Sequence, residues 1–226
     1  MRDILIDGLP ILDLLEVTPS TSHVAVLANC DQSSVSRIYR HVSSSLDLGF
    51  RKSNGAYRAH TNQELLASLR QATQLLRLQR GADRLQWVGN TWNGAALANL
   101  SDLNPLPRSW KGEGRTLALL ESRVLDLAVV DLAALPEREA LPSVEAINEP
   151  PMVWGPWAAV PLAIYAAELR PVLAGEPQHP QATGTAIDGA LVRREHLERP
   201  ALQSLIAELQ RAYQQAYGSV AGIRWP

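Results

Sequence analysis

The chain has 226 residues, of which 46% are hydrophobic and 19% charged, with a formal net charge of −2. That length suits one large domain or two modest ones, and the apolar share excludes a chain disordered throughout. The near-balanced charge excludes a uniformly basic polyanion binder, and no run approaches the about 18 consecutive apolar residues of a membrane span, so the expectation is a soluble cytoplasmic protein with no membrane partner.

In chain order, the opening MRDILIDGLPILDLLEV carries acids at Asp3, Asp7 and Asp13 and no unbroken apolar run, so it does not read as a signal peptide. Residues 9–17 (LPILDLLEV) predict a short helix with a nearly continuous apolar face. TPSTSHVAVLANC follows, with Ser20 or Thr18 available as an N-cap and Val24, Ala25 and Ala28 facing inward. Asp31 is placed to cap a second short helix, from Gln32 to about Ser43. Two short helices separated by Asn29-Cys30-Asp31 are the sequence form of a helix-turn-helix. Cys30, the single cysteine, has no intrachain disulfide partner and reads as a small buried residue of a reducing compartment.

In the second helix Val35, Ile38, Tyr39 and Val42 share one face, and Ser33, Ser36, Arg37 and Arg40 the opposite one. The polar face carries hydroxyls and guanidiniums without acids, unlike the mixed charges of an ordinary solvated helix. FRKSNGAYRAHT then places an Asn54-Gly55 hairpin turn between basic residues. Within 29–60 the chain holds five basic side chains (Arg37, Arg40, Arg51, Lys52, Arg58) against two acidic ones (Asp31, Asp47). This local excess is where a nucleic-acid footprint is expected. Thr61-Asn62-Gln63-Glu64 reads as a capping box for an amphipathic helix of about 18 residues, with a stripe at Leu65, Leu69, Ala72, Leu76 and Gln79 flanked by Leu66 and Thr73. Gly81 ends it.

Beyond Gly81 short strands alternate with helices. Strands are predicted at 84–88, 125–130, 151–154 and 160–166, helices at 116–122 and 201–217, and a loop at 171–184. This pattern predicts an α/β domain with a mixed or parallel sheet. Trp87, Trp92, Trp110, Trp154 and Trp157 read as packing residues of its core and interfaces. There are no internal repeats.

The stretch from Ser20 to Glu64 resembles the winged helix-turn-helix of LysR-type transcriptional regulators. Ser20 stands at the family's small capping position, Val24-Ala25 at its paired alanines, and Gln32-Ser33-Ser34-Val35-Ser36-Arg37 at its Gln-x-x-Val-Ser signature. Asn54–Arg58 resembles its wing, and Thr61 onward its linker helix. LDLAVVD and AIDGALVRREHLERPALQSLIAEL resemble the effector domain's Leu-Asp-Leu-Ala strand and its last strand and helix. Two family pairs are replaced, by Val42-Ser43 and by Leu46-Asp47.

The resemblance implies a fold of mixed α+β and α/β class. It comprises a winged helix-turn-helix over 1–60, a linker and dimerisation helix over 61–81, and an effector-binding-like α/β domain over 82–226. Family members carry two Rossmann-like (periplasmic-binding-protein-like) effector lobes, whereas 145 residues follow Gly81 here. The expectation is therefore a reduced, single-lobe domain.

A dimeric transcription regulator bound to double-stranded DNA follows from the resemblance, located with the nucleoid in the cytoplasm. Gln32, Ser33, Ser36 and Arg37 then fall where a recognition helix meets base edges, with Ser34 inside the same signature. Arg40, Arg51, Lys52 and Arg58 suit phosphates, and Asn54 stands at the wing tip by the minor groove. A small-molecule effector would meet Asn90, Thr91 and Asn93, at the start of a helix whose free N–H groups favour an anion. The alternative is a degenerate relative that no longer binds DNA and acts as a protein–protein interaction module. The sequence holds no G-x-S-x-G, P-loop or G-x-G-x-x-G motif and no metal-ligand spacing of its histidines. No catalysis, cofactor or metal is expected.

Overall fold

A computed structural model describes residues 4–90, 92–98, 100, 103, 105–108, 110, 113–135, 151–174 and 184–226. The chain divides into two compact units, Met1–Leu76 with Glu121–Val124, and Arg77–Leu120 with Leu125–Pro226.

The first unit is helical with a small hairpin. A π-helical turn at Ile4–Gly8 leads into α1 (Leu9–Val17), followed by α2 (Thr21–Leu27), α3 (Gln32–Ser45), β1 (Arg51–Ser53), β2 (Ala56–Arg58) and α4 (Gln63–Arg80), of which the residues up to Leu76 belong to this unit. Its core collects the apolar faces of these short helices: Leu9, Leu12 and Leu15 from α1, Val24 from α2, Val35 and Val42 from α3, with Leu48 between elements. Each is essentially inaccessible to solvent, so the helices are held by tertiary burial and not by propensity alone.

Two of the expected caps form. Ser20 accepts the backbone N–H of His23 at the start of α2, and Asp31 that of Ser34 at the start of α3. The expected capping box at Thr61–Glu64 does not. Asn62 adopts a left-handed backbone (φ 47°) and its carbonyl accepts the N–H of Leu66. Thr61 Oγ1 donates instead to the Asp47 carbonyl (2.5 Å) and Asn62 Nδ2 to the Leu46 carbonyl (3.0 Å). Both side chains tie the entry of α4 to the exit of α3.

The face that α4 buries is also not the expected stripe. Leu66, Arg70, Gln74 and Leu78, four residues apart, are the buried positions. Leu65 and Leu76 of the expected stripe stay 42% and 38% exposed. Gly81 ends the helix at φ 126°, a backbone that favours glycine.

The second unit is built on a five-stranded sheet ordered β3-β4-β7-β6-β5. Its strands are β3 (Trp87–Val88), β4 (Leu127–Asp131), β5 (Met152–Trp154), β6 (Trp157–Ala166) and β7 (Thr185–Arg193). Only β3 and β4 run parallel; the other three pairings are antiparallel, so the sheet is mixed. The helices are α5 (Gly94–Ala98), α6 (Gly114–Glu121), α7 (Arg170–Ala174) and α8 (Pro200–Tyr217). The strand expected over 84–88 shortens to Trp87–Val88, and part of the loop expected over 171–184 is helical as α7; residues 175–183 lie outside the described ones.

β4 is buried at all five positions, as expected of a central strand covered on both faces. Proline interrupts β6 at Pro161, and the register with β7 shifts between Pro161 and Ala163, a bulge opposite Asp188 and Gly189. Helix α8 covers the sheet through Leu202, Leu205, Ile206, Leu209 and Tyr213. Trp87, Trp154 and Trp157 are buried in this unit, in keeping with the packing role expected of them.

Candidate nucleic-acid interface

α2, the turn and α3 form the expected helix pair, with β1 and β2 as the hairpin after it. Val35 and Val42 seat one side of α3 in the core, which forces Gln32, Ser33, Arg37 and Arg40 outward into solvent, with Ser36 half-exposed. The side chain of Asp31 fixes the first turn. It accepts from Ser34 N (2.7 Å), Ser34 Oγ (2.7 Å) and Ser33 Oγ (2.5 Å). These hydrogen bonds, led by those of the Ser33 and Ser34 hydroxyls, hold its carboxyl well below the usual carboxylate range.

Ser34 is buried within this cap and also accepts from Arg37 Nη2 (3.0 Å), so the structure places it beneath the exposed face and not on it. Arg37 is thereby oriented by its own helix while remaining exposed. Gln32 Nε2 donates to Thr21 Oγ1 (2.9 Å), which links the first residues of the two helices.

The hairpin is fastened to α3 by three rings. Tyr39 lies edge-on to Tyr57 (5.6 Å between centroids), and Tyr57 stacks on Phe50 (5.8 Å, 18° between planes). Phe50 N also donates to Ser43 Oγ (2.9 Å). The turn residues Asn54 and Gly55 both have positive φ, 50° and 80°, the pattern of a tight two-residue hairpin loop. Arg51 pairs in register with Arg58, and both are exposed, as are Lys52 and Asn54. Lys52 Nζ reaches the carbonyl of Pro19 (2.9 Å), just before α2. Arg40 packs over Tyr39 (5.8 Å to the ring centroid), so the aromatic cluster that holds the hairpin also steadies one of the cations. Of the ten residues expected here, nine are exposed or half-exposed on α3 and the hairpin.

Cys30 is half-exposed, where a buried residue was expected. The sequence does not single out Val26 and Leu27 at the end of α2, which are 79% and 41% exposed.

The expected effector residues stand differently. Thr91 lies outside the described residues. Asn90 and Asn93 are 4% and 0% exposed, and α5 is a five-residue helix. Asn90 accepts from Arg108 Nη1 (3.2 Å) and donates to Asp188 Oδ1 (3.4 Å); Asn93 Nδ2 donates to the Tyr213 hydroxyl. Both residues are engaged by side chains of the second unit. Among the described residues no cluster of histidine, cysteine and carboxylate side chains could hold a metal ion, and no helix is long and apolar enough to cross a membrane.

No family model matches the chain, and no curated protein matches it. Solved structures align with most of its length at low identity. A full-length OxyR variant from Pseudomonas aeruginosa has 10% identity and a TM-score of 0.49, over 93% of this chain and 97% of that one. An OxyR mutant from Corynebacterium glutamicum has 14% identity and a TM-score of 0.44, over 96% and 95%. The full-length LTTR LysG of Corynebacterium glutamicum, with the effector Arg bound, has 12% identity and a TM-score of 0.40, over 95% and 99%.

Proposed function

We propose that this chain is a sequence-specific, DNA-binding transcription regulator of the LysR type, acting as a dimer with a reduced effector domain. One observation carries the reading: an acid-free exposed face on α3, fixed at its N-terminus by Asp31 and joined through Tyr39, Phe50 and Tyr57 to a hairpin bearing Arg51, Lys52 and Arg58. Gln32, Ser33, Ser36 and Arg37 are the base-reading set, Arg40, Arg51, Lys52 and Arg58 contact phosphates, and Asn54 stands at the wing tip by the minor groove. Ser34 supports that set from within the cap. The second unit is a single lobe. The burial of Asn90 and Asn93 supports an effector domain without a small-molecule cleft at that place.

A second reading, a protein–protein module that no longer binds DNA, draws on the exposed Val26 and Leu27 at the helix-turn-helix corner. Fragments selected from genomic DNA by the full chain, then titrated over a range of salt, separate the two. The regulator reading expects a steep loss of affinity with salt. Arg40→Ala should weaken every sequence and flatten that slope by about one counterion, whereas Arg37→Ala should cost about 1–3 kcal/mol and relax the preference at one base position. Binding that ignores both substitutions, or no binding to any fragment, overturns the regulator reading.

A further inference from the structure

Asp188 sits in the middle of β7, fully buried, and the four donors that reach it are all neutral. Asn90 Nδ2 (3.4 Å), Trp92 Nε1 (3.3 Å) and the Tyr165 hydroxyl (3.1 Å) converge on Oδ1. The Tyr213 hydroxyl (3.1 Å) donates to Oδ2. These donors come from the segment after β3, from β6 and from α8, so one carboxyl group clasps three elements to the central strand.

Directly opposite Asp188 in the antiparallel ladder stands a second carboxylate, Asp131 of β4. Like charges at such a position repel. The cation of this neighbourhood, Arg170 of α7, is bonded to Asp131 (2.6 Å) and lies over the Trp92 ring (4.2 Å). Asp131 also accepts the backbone N–H groups of Ala133 (3.0 Å) and Ile187 (3.4 Å). Arg108, which reaches Asn90, is paired with Glu113 (3.1 Å). Two facing carboxylates thus have unequal environments, and Asp188 has the one that favours a proton.

Asn93 supplies the rest of the device. Its Nδ2 donates to the Tyr213 hydroxyl, while its Oδ1 is buried and has no hydrogen-bond partner among the described residues. We propose that Asp188 is a proton switch, and that proton uptake at its Oδ2 reverses the direction of the Asn93–Tyr213–Asp188 hydrogen-bond chain. In the ionised state Asn93 N–H donates to Tyr213, whose O–H donates to the carboxylate. In the protonated state the carboxyl O–H donates to Tyr213, whose own proton turns to Asn93 Oδ1 once the amide rotates about Cβ–Cγ. Trp92 Nε1 can only donate, as can Asn90 Nδ2 while Asn90 Oδ1 accepts from Arg108, and both keep Oδ1 of Asp188 in both states. The proton comes from solvent, and no other covalent bond changes.

Burial raises the carboxyl of Asp188 to about 7, with the charge of Asp131 adding to it and the donors from Tyr165 and Tyr213 and the charge of Arg170 opposing. A carboxyl raised in this way binds its proton more tightly folded than unfolded. Its contribution to stability is full below the ordinary aspartate range, is lost as pH rises through that range to about 7, and is constant above.

The carboxyl carbon resonance of Asp188, followed by NMR in the full-length chain through its own backbone assignment, is expected to titrate with a midpoint at about 7. A midpoint in the ordinary aspartate range overturns the switch. Tyr213→Phe removes a donor to the ionised form and should move the midpoint upward; an unmoved midpoint breaks the proposed chain. Asp188→Asn imitates the neutral carboxyl, so the fall in melting temperature of the parent between pH 5 and pH 8 should shrink in this variant. An equal fall in both proteins also overturns the proposal.

Discussion

Arg70 is only 4% exposed and carries its charge into the core of the N-terminal unit. Its Nε donates to Asp13 Oδ1 (2.8 Å) and its Nη2 to Glu16 Oε1 (2.9 Å), so one guanidinium joins α4 to two acids of α1. Burial works against the charge, but the two carboxylates outweigh it and hold the guanidinium's pKa above its usual value. A buried pair of this kind contributes little over an apolar filling of the same volume, yet breaking it leaves a charge without its counterion. Arg70→Ala should therefore cost about 3–5 kcal/mol, read as a lower urea midpoint of far-UV ellipticity. Arg70→Met combined with Asp13→Leu and Glu16→Leu should recover most of that loss. A single variant as stable as the parent would remove the triad from the account of this core.

At the scale of the element, α4 presents two apolar rows with different fates. Leu66 and Leu78 are buried within the chain, while Leu65 and Leu76 lie one and two positions away and remain open to solvent. Those open leucines suit a second copy of the same helix, related by twofold symmetry. If the proposed dimer forms through this face, Leu65→Glu with Leu76→Glu should convert it into a monomer in sedimentation velocity and leave far-UV ellipticity unchanged. A dimer that survives the double change uses another surface.

The same helix marks what the sequence carried and what it did not. Local chemistry was legible: the Asp31 cap, the Asn54-Gly55 turn and the Gly81 stop each follow from a few neighbouring residues. The Thr61 capping box failed because the ends of α3 offered the carbonyls of Leu46 and Asp47 to Thr61 and Asn62, a contact between segments that local spacing does not encode. Leu65 and Leu66 start two apolar rows about 100° apart on the helix, so its period could not say which row met the core. In the second unit β7 was expected only from the resemblance, whereas β3, β4, β5 and β6 were legible as apolar runs. Their order was not, since β7 enters between β4 and β6 from far along the chain. The Asp188 clasp was hidden for the same reason: Asn90 lies 98 residues away from it.

At the scale of the whole molecule, the two units differ in what they bury and in what reports on them. All six tryptophans belong to the second unit, within Arg77–Leu120 or Leu125–Pro226, and the first unit has Tyr39, Tyr57 and Phe50 as its aromatic residues. Tryptophan fluorescence therefore reads the sheet, while far-UV ellipticity is weighted towards the helices of both units. Gly189 gives a way to perturb the sheet alone. It lies on β7, where an added Cβ would stand 2.6 Å from Leu132 Cδ1 and 2.8 Å from its Cγ, and Leu132 is itself fully buried. Gly189→Ala should overpack this point at a cost of about 1–3 kcal/mol and lower the urea midpoint seen by fluorescence. Arg70→Ala should lower the ellipticity midpoint and leave the fluorescence midpoint in place. A chain with two cores has two places to break, and a single unfolding free energy does not then describe it. If both substitutions move both probes together, the two units unfold as one cooperative body.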